Sequence, residues 1–296
     1  MYFDLEADPE MRVLVLGANG MLGSQVIETM KQNEIELYWT KRKVEAPKEL
    51  QYRFGIDDLG QLISKIPNLG YVINCIGAIP QRNLNPENFK INWELPNLLE
   101  TLSKKFNFKV IQIATDCAFD GSRGRYSETD LPDAKDNYGA SKVLGEIRSS
   151  NFMHIRCSII GNDNEGRSLY SWLLSQKENS IVSGYTNHFW NGITTLSFAK
   201  IVTGIVSGNK FMPGIYHLVP SSSVTKYELL GLISSSENRQ DLSVLPYETH
   251  EKIDRTLTTT NLSLNEDMWK YGGYEFVPSV NDLVHEFATL NRGKRQ

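Results

Sequence analysis

The chain has 296 residues, of which 40% are hydrophobic and 22% are charged, so it is long enough for one or two well-packed cores. A formal net charge of -4 excludes a broad nucleic-acid or acidic-membrane surface, because such surfaces require concentrated positive charge. The three cysteines lack the spacing of a disulfide framework or a zinc site, and we expect no metal.

A secretory signal begins with a basic segment that is followed by an apolar one, whereas the first ten residues here are acidic. We therefore expect no secretory signal. No apolar run approaches the ~20 residues of a membrane-spanning helix. We therefore expect a cytoplasmic protein that acts on a small molecule and contacts neither membrane nor nucleic acid.

Five short apolar runs have the length and branching of buried strands, and segments of helical period separate them. The runs cover residues 12–16, 35–39, 71–75, 109–113 and 151–155. This alternation predicts an α/β fold, with a Rossmann-type doubly wound parallel sheet over residues 1–157. Beyond that point Gly, Ser and Asn clusters are frequent, which predicts a smaller α+β substrate lobe over residues 158–296, with some segments returning to the first domain.

Three glycines follow the first predicted strand, in the sequence Gly17-Ala-Asn-Gly20-Met-Leu-Gly23. Glycine lets the turn close and lets the backbone approach a pyrophosphate, whose charge then lies at the helix N-terminus. The spacing resembles the Gly-x-x-Gly-x-x-Gly of extended short-chain dehydrogenases, and the alternative is merely a tight turn. We expect cofactor contacts from Gly17, Asn19, Gly20, Met21, Leu22 and Gly23.

The second predicted strand ends in Thr40, Lys41 and Arg42, about where NAD-specific sites carry an acidic residue for the ribose 2'-hydroxyl. A basic residue there accommodates a 2'-phosphate instead. The run predicts NADPH as the cofactor, with NADH as the alternative. A solvated basic edge would give the same pattern.

The catalytic prediction starts from Tyr138 and Lys142, which lie four residues apart on one face of a predicted helix. A nearby cation favours the ionised form of a phenol, so the pair predicts a proton donor that works near neutral pH. Thr115 follows the fourth strand, at the sheet edge where open α/β folds bind ligands. Its hydroxyl is placed to hydrogen-bond a substrate carbonyl.

The sequence Thr115-Asp-Cys-Ala-Phe-Asp-Gly, then Gly124-Arg-Tyr-Ser-Glu, then Asn-Tyr138-Gly-Ala-Ser-Lys142, resembles the dTDP-4-dehydrorhamnose reductase family in order and spacing. The resemblance implies an NAD(P)H-dependent oxidoreductase of the short-chain type with Thr115, Tyr138 and Lys142 as its catalytic residues. It implies NADPH-dependent reduction of a 4-keto-6-deoxy nucleotide sugar, in the synthesis of deoxysugar and polysaccharide precursors.

Further contacts are expected on the same basis. After the third strand, the alanine-rich stretch of the family is replaced here by Cys75, Ile76, Gly77 and Ala78. We expect these four residues to contact the cofactor, as we do for Tyr138 and Lys142. The expected substrate contacts come from the fourth strand's end and from an aromatic segment of the second lobe, namely Thr115, Asp116, Cys117, Asn187 and Trp190.

Two alternatives stay open. In one, Cys117 is a low-pKa thiol that removes a proton beside the keto group, as in a bifunctional epimerase and reductase. In the other, the chain is a non-catalytic NADP-binding regulatory subunit, similar to that of methionine adenosyltransferase. The sequence does not identify the nucleotide, the sugar, the product stereochemistry or the oligomeric state, for which a homodimer is one option.

Overall fold

The computed structural model describes residues 12–33, 35–44, 48–80, 85–163 and 165–295. Its strands are β1 (Arg12–Leu16), β2 (Glu36–Lys41), β3 (Glu49–Gln51), β4 (Leu69–Asn74), β5 (Lys109–Thr115), β6 (Phe152–Cys157), β7 (Ile159–Ile160), β8 (Ile181–Tyr185), β9 (His188–Trp190), β10 (Ile193–Thr194), β11 (Gly214–His217), β12 (Val224–Thr225), β13 (Ser243–Tyr247) and β14 (Ile253–Asp254). Its α-helices are α1 (Met21–Lys31), α2 (Leu59–Ile63), α3 (Ile91–Phe106), α4 (Asn137–Leu144), α5 (Leu169–Leu174), α6 (Thr195–Ser207), α7 (Lys226–Ser236), α8 (Leu262–Tyr271) and α9 (Val280–Arg295). Short 3-10 turns cover Pro86–Lys90 and Asp116–Ala118.

The large sheet has the strand order β11-β6-β5-β4-β1-β2-β3, and all neighbouring pairs in it are parallel. One face packs against α1, α6 and α8, which contribute Val26, Ile201 and Trp269 to the core. The other face packs against α2 and α3 through Ile63 and Leu99. Helices on both faces of a parallel sheet in this order define the Rossmann-type doubly wound fold, so the predicted fold class is confirmed.

The five predicted strands are all present in this sheet. The first has the predicted bounds, and the others differ by one or two residues at their ends. The largest consequence is at β5, which continues two residues beyond its apolar run and ends at Thr115. This extension places the predicted catalytic hydroxyl on the last residue of a central strand.

The residues after β6 build several small sheets around a third core. These sheets pair β7 with β10, β8 with β13, and β9 with both β12 and β14. Their core includes Tyr170, Leu229 and Phe287. Two later elements belong to the large sheet, because β11 pairs with β6 and α6 packs against α1. The division at residue 157 stays a prediction.

No helix among the described residues is both long and apolar enough to cross a membrane. The same residues contain no group of three His, Cys, Asp or Glu side chains arranged to hold a metal ion.

Candidate active site

The loop between β1 and α1 is shaped by its glycines. Gly17 has φ +87°, a left-handed conformation that favours glycine, and a Cβ atom there would lie 2.9 Å from Ile76 Cγ1. A Cβ atom on Gly23 would lie 2.2 Å from the Gly17 carbonyl oxygen. Gly20 closes the turn by donating its N–H to that carbonyl, at 3.0 Å. The backbone therefore turns tightly into α1, as a pyrophosphate cradle requires.

The other residues predicted on this loop differ in what they expose. Asn19 is exposed and Met21 is half-buried. The Leu22 side chain is buried in the core beneath α1. A cofactor on the loop is therefore within reach of residue 22 only through its backbone.

The end of β2 is tied to the glycine loop. The Thr40 hydroxyl accepts the Gly17 N–H at 3.1 Å, and the Thr40 carbonyl accepts the Ala18 N–H at 3.0 Å. Lys41 forms an ion pair with the buried Glu49 carboxylate, at 2.5 Å, while Arg42 is exposed. Thr40 is thus structural here, and Arg42 is the freer of the two basic side chains.

The stretch after β4 runs beside the same loop. Cys75 donates its N–H to the Leu16 carbonyl at 3.1 Å, which holds the stretch against the end of β1. Asn92 of α3 fixes its far end, because the Asn92 amide accepts the Ala78 N–H at 2.8 Å and donates to the Ala78 carbonyl at 3.0 Å. Asn92 also donates to the Ser141 hydroxyl on α4, at 3.0 Å.

Sequence reasoning missed Asn92. The only local signal was a polar residue on the apolar face of α3. The structure makes this side chain the link between the stretch that ends at Ala78 and the helix that carries Tyr138 and Lys142.

The structure brings the three predicted catalytic residues together at the carboxyl end of β5. Asp136 caps α4 by accepting the Gly139 N–H at 2.8 Å, and the Thr115 side chain is close enough to Tyr138 to lower the pKa of its phenol. Lys142, one turn further along α4, donates its ammonium to the Ile113 carbonyl at 3.0 Å. A close approach of α4 to the end of β5 makes this possible, since a Cβ atom on Gly139 would lie 2.1 Å from the Cys117 carbonyl oxygen.

The pKa values of the pair follow from burial. Desolvation raises the pKa of Tyr138 well above that of a free phenol, and the neighbouring Cys117 and Asp116 act in the same direction. The net pKa of Tyr138 is therefore raised rather than lowered, in contrast to the expectation for a phenol beside Lys142. Burial also lowers the pKa of Lys142 to about 8. Tyr138 is accordingly a protonated acid at neutral pH, beside an ammonium that loses its charge near the upper end of the neutral range.

Lys142 also lies close to the stretch after β4, at Gly77. A Cβ atom on Gly77 would lie 4.0 Å from Lys142 Nζ and 3.2 Å from Asn92 Oδ1, so glycine at this position leaves space beside the ammonium. The thiols of Cys75, Cys117 and Cys157 all influence the pKa of Lys142, which places them around the same point. The glycine loop and the catalytic set thus meet at one edge of the sheet.

Cys117 and Asp116 form the turn that follows β5. Thr115 Oγ1 accepts the Cys117 N–H at 3.2 Å and lies 3.2 Å from Asp116 Oδ1. Burial, and next the Asp116 carboxylate, raise the pKa of the Cys117 thiol to about 12. The low-pKa thiol that the epimerase alternative needs is therefore not present at this position.

The two residues predicted from the second lobe have internal partners. Trp190 is 4% exposed and donates its indole N–H to Ser158 Oγ at 2.8 Å. The Asn187 side chain binds the backbone of Thr249, donating to its carbonyl at 2.8 Å and accepting its N–H at 3.2 Å. Both side chains hold the lobe together, and their contact with substrate stays a prediction.

Comparison with curated proteins finds distant similarity to three proteins. It is 29% identical over 143 residues to the probable low-salt glycan biosynthesis reductase Agl14 of Haloferax volcanii, a match that covers 46% of this chain and 48% of that protein. It is 25% identical to the spore coat polysaccharide biosynthesis protein SpsK of Bacillus subtilis, over 83% of this chain and 86% of that one. The β subunit of methionine adenosyltransferase 2 from Danio rerio is also 25% identical, over 80% of this chain and 77% of that one. The chain thus spans about half of the first of these proteins and most of the other two.

A solved structure supports the same fold. The dTDP-4-dehydrorhamnose reductase of Bacillus anthracis, determined in complex with NADP, superposes with a TM-score of 0.74 at 21% identity, covering 94% of this chain and 99% of that one. The Rossmann-type sheet and the family match are those of NAD(P)-dependent oxidoreductases of the extended short-chain dehydrogenase/reductase class.

A family model narrows the assignment within that class. Residues 11–288 match the model of the RmlD substrate binding domain, and the chain belongs to this family. Family and fold together indicate a nucleotide-sugar reductase.

Proposed function

We propose that this protein reduces the keto group of a 4-keto-6-deoxy nucleotide sugar with NADPH, in the formation of deoxysugar or polysaccharide precursors. The observation that carries the proposal is the placement of Thr115, Tyr138 and Lys142 at the carboxyl end of β5, beside the glycine loop. A ketone bound at this edge meets a hydroxyl, a protonated phenol and an ammonium.

The described residues fit a dinucleotide. The loop leaves no space for a Cβ atom at Gly17 or Gly23, and Gly20 has no side chain with which to cap α1. The first-turn N–H groups of α1 therefore suit a pyrophosphate. The Bacillus anthracis reductase binds NADP, which supports the same cofactor here, while the preference for NADPH rests on Lys41 and Arg42.

The reaction then follows from the residues present. NADPH, when bound, supplies the hydride that the ketone carbon receives. Tyr138 donates its phenolic proton to the ketone oxygen as negative charge develops there. Thr115 donates a hydrogen bond to that oxygen, and the Lys142 ammonium stabilises the phenolate that remains.

The direct test is turnover with a panel of nucleotide-linked 4-keto-6-deoxy sugars. NADPH deuterated at its transferable position should place deuterium at sugar C4, and product stereochemistry should be read by NMR. In heavy water with unlabelled NADPH, no deuterium should enter C3 or C5. Label at either carbon would instead support epimerisation, despite the raised pKa of Cys117.

Thr115→Val is the matched variant for this test. It keeps the shape of the side chain and removes the hydroxyl, so it should lower kcat more than it lowers NADPH affinity.

A second candidate function is that of a regulatory subunit that binds NADPH without turnover. The 25% identity to the methionine adenosyltransferase β subunit favours it. NADPH binding with no oxidation by any sugar of the panel would replace the enzymatic proposal with this one. The homodimer and the cytoplasmic location stay predictions.

A further inference from the structure

Lys226 is the first residue of α7, and the second lobe fixes its position closely. Thr225 caps the helix, accepting the Glu228 N–H at 3.1 Å while Glu228 reaches back to the Thr225 N–H at 2.7 Å. Val224, which precedes Thr225, pairs with Trp190 in the β9–β12 ladder. Gly184 of β8 packs against the start of α7, because a Cβ atom there would lie 2.6 Å from Tyr227 Cα. The backbone that carries Lys226 is therefore held from three sides.

The Lys226 side chain lies on an aromatic platform. Its ammonium is 5.2 Å from the centroid of the Trp190 ring, which the hydrogen bond to Ser158 anchors. No hydrogen bond or ion pair from the described part of the chain reaches this ammonium. The side chain is thus oriented by its platform and has no counter-ion within contact distance.

The charges near Lys226 belong to the catalytic edge of the sheet. Asp116 and Cys117 of the turn after β5 raise its pKa, although less than burial lowers it, and Lys226 in turn lowers the pKa of His188. Lys226 is half-buried, and the partial loss of solvent lowers its pKa to about 8. Ser158, which anchors the Trp190 ring, follows Cys157, and Cys157 pairs with Thr115 across β6 and β5. Lys226 on its Trp190 platform therefore lies near the carboxyl end of β5.

Two effects disfavour a bare ammonium at this position. Desolvation is one, and the helix dipole is the other, because the N-terminus of an α-helix carries partial positive charge. An anion placed beside Lys226 removes both penalties at once, since it pairs with the ammonium and also lies at the start of α7.

We infer that Lys226 binds an anionic oxygen of the substrate, supplied either by the diphosphate or by a carboxylate on the sugar. The inference rests on the proposed function, because it takes the substrate to be a nucleotide sugar held between β5 and the second lobe. Lys226 would then set which substrates bind, while Thr115, Tyr138 and Lys142 act on the ketone.

The test compares Lys226→Met, which keeps the aliphatic stem on Trp190 and removes the charge, with Lys226→Arg, which keeps a cation. Lys252→Met is the control, because Lys252 is exposed and its ammonium lies 5.1 Å from the centroid of the Phe189 ring in the same small sheet. Calorimetry measures binding of dTDP, thymidine, UDP-glucose and UDP-glucuronic acid. Tm and NADPH affinity show that each variant is folded, and Lys226→Gln replaces the Met variant if that one is not.

If Lys226 holds the diphosphate, its Met variant should bind dTDP and UDP-glucose about 10- to 100-fold more weakly, as expected for a lost charge-assisted hydrogen bond. Thymidine binding should not change. If Lys226 holds a sugar carboxylate, only UDP-glucuronic acid should lose affinity. The ligand affinities of the Lys226→Arg variant should stay within about threefold of those of the wild type. The Lys252→Met control should bind all four ligands as tightly as the wild type does.

Equal affinity of the wild type and the Met variant for all four ligands would overturn the inference, as would a wild type that binds none of them. The proposed function is decided separately by turnover. A protein that binds diphosphates through Lys226 but reduces no keto sugar would overturn the proposed function alone.

Discussion

The loop between β1 and α1 is shaped by backbone contacts, whereas the region around Lys226 and Trp190 is shaped by side chains on short strands. In the first region a single Cβ atom on Gly23 would meet a carbonyl oxygen at 2.2 Å. In the second region, the Lys226 ammonium lies 5.2 Å from the centroid of the Trp190 ring and has no hydrogen-bond or ion-pair partner among the described residues. A site built from backbone tolerates few substitutions, whereas a site built from side chains can change its ligand while the fold is kept.

The largest expected effect comes from the chemistry between these regions. Tyr138→Phe removes the acid and leaves the ring, so kcat should fall about 10²- to 10⁴-fold with NADPH affinity nearly unchanged. Tyr126→Phe is the control, because Tyr126 is buried and its hydroxyl donates to Asp120 at 2.9 Å, outside the catalytic set. Normal turnover in the Tyr138 variant would show that another group supplies the proton.

The next effect compares two helical glycines. Gly23→Ala should destabilise the protein by more than about 2 kcal/mol and weaken NADPH binding, because its Cβ atom overlaps the backbone of Gly17. Gly231→Ala in α7 has open space around it and should stabilise the protein by about 0.5–1 kcal/mol, through helix propensity alone. Chemical denaturation measures both, and similar stability of the two variants would contradict the backbone account.

Cofactor preference should respond less strongly. Changing Lys41 and Arg42 together to Ala should narrow the preference for NADPH over NADH by about 1–3 kcal/mol, the scale of charge-assisted hydrogen bonds. Arg42→Ala alone should have the larger share, because Lys41 is already paired with Glu49. Dissociation constants for the two cofactors provide the measurement, and equal values in the unmodified protein would refute the assignment.

The last effect concerns pH and is small near neutrality. The pKa of Lys142 is lowered to about 8, so its ammonium is present below that pH and is lost as the pH rises through it. Because Tyr138 stays protonated over this range, kcat/KM should fall above about pH 8 by roughly tenfold per pH unit for each proton lost. Lys226 loses its proton over the same range, so Lys226→Met should show a shallower fall than the wild type. An identical slope would separate Lys226 from substrate binding.

The features that were predicted from sequence are those that depend on local pattern. Apolar runs gave the strands, and the spacing of Gly17, Gly20 and Gly23 gave the loop, because both depend on neighbouring residues. Thr115 was identified since strand ends in a parallel sheet meet at one edge.

The rest depends on contacts between distant parts of the chain. Asn92 acts on Ala78 and Ser141, which are 14 and 49 residues away. Lys226 contacts the Trp190 ring only when two short strands of the second lobe, β9 and β12, pair with each other. The direction of the Tyr138 pKa was wrong for the same reason, because burial is a property of the packed molecule.

The pairing of β11 with β6 has a consequence for how the chain folds during synthesis. Until residue 217 has emerged, β6 is the edge of the large sheet, with backbone N–H and C=O groups open to pairing with another chain. The part of α1 that packs against α6 also stays uncovered until α6 has been made. A fragment that stops at residue 157 should therefore aggregate, because the large sheet is completed only by segments that are synthesised later.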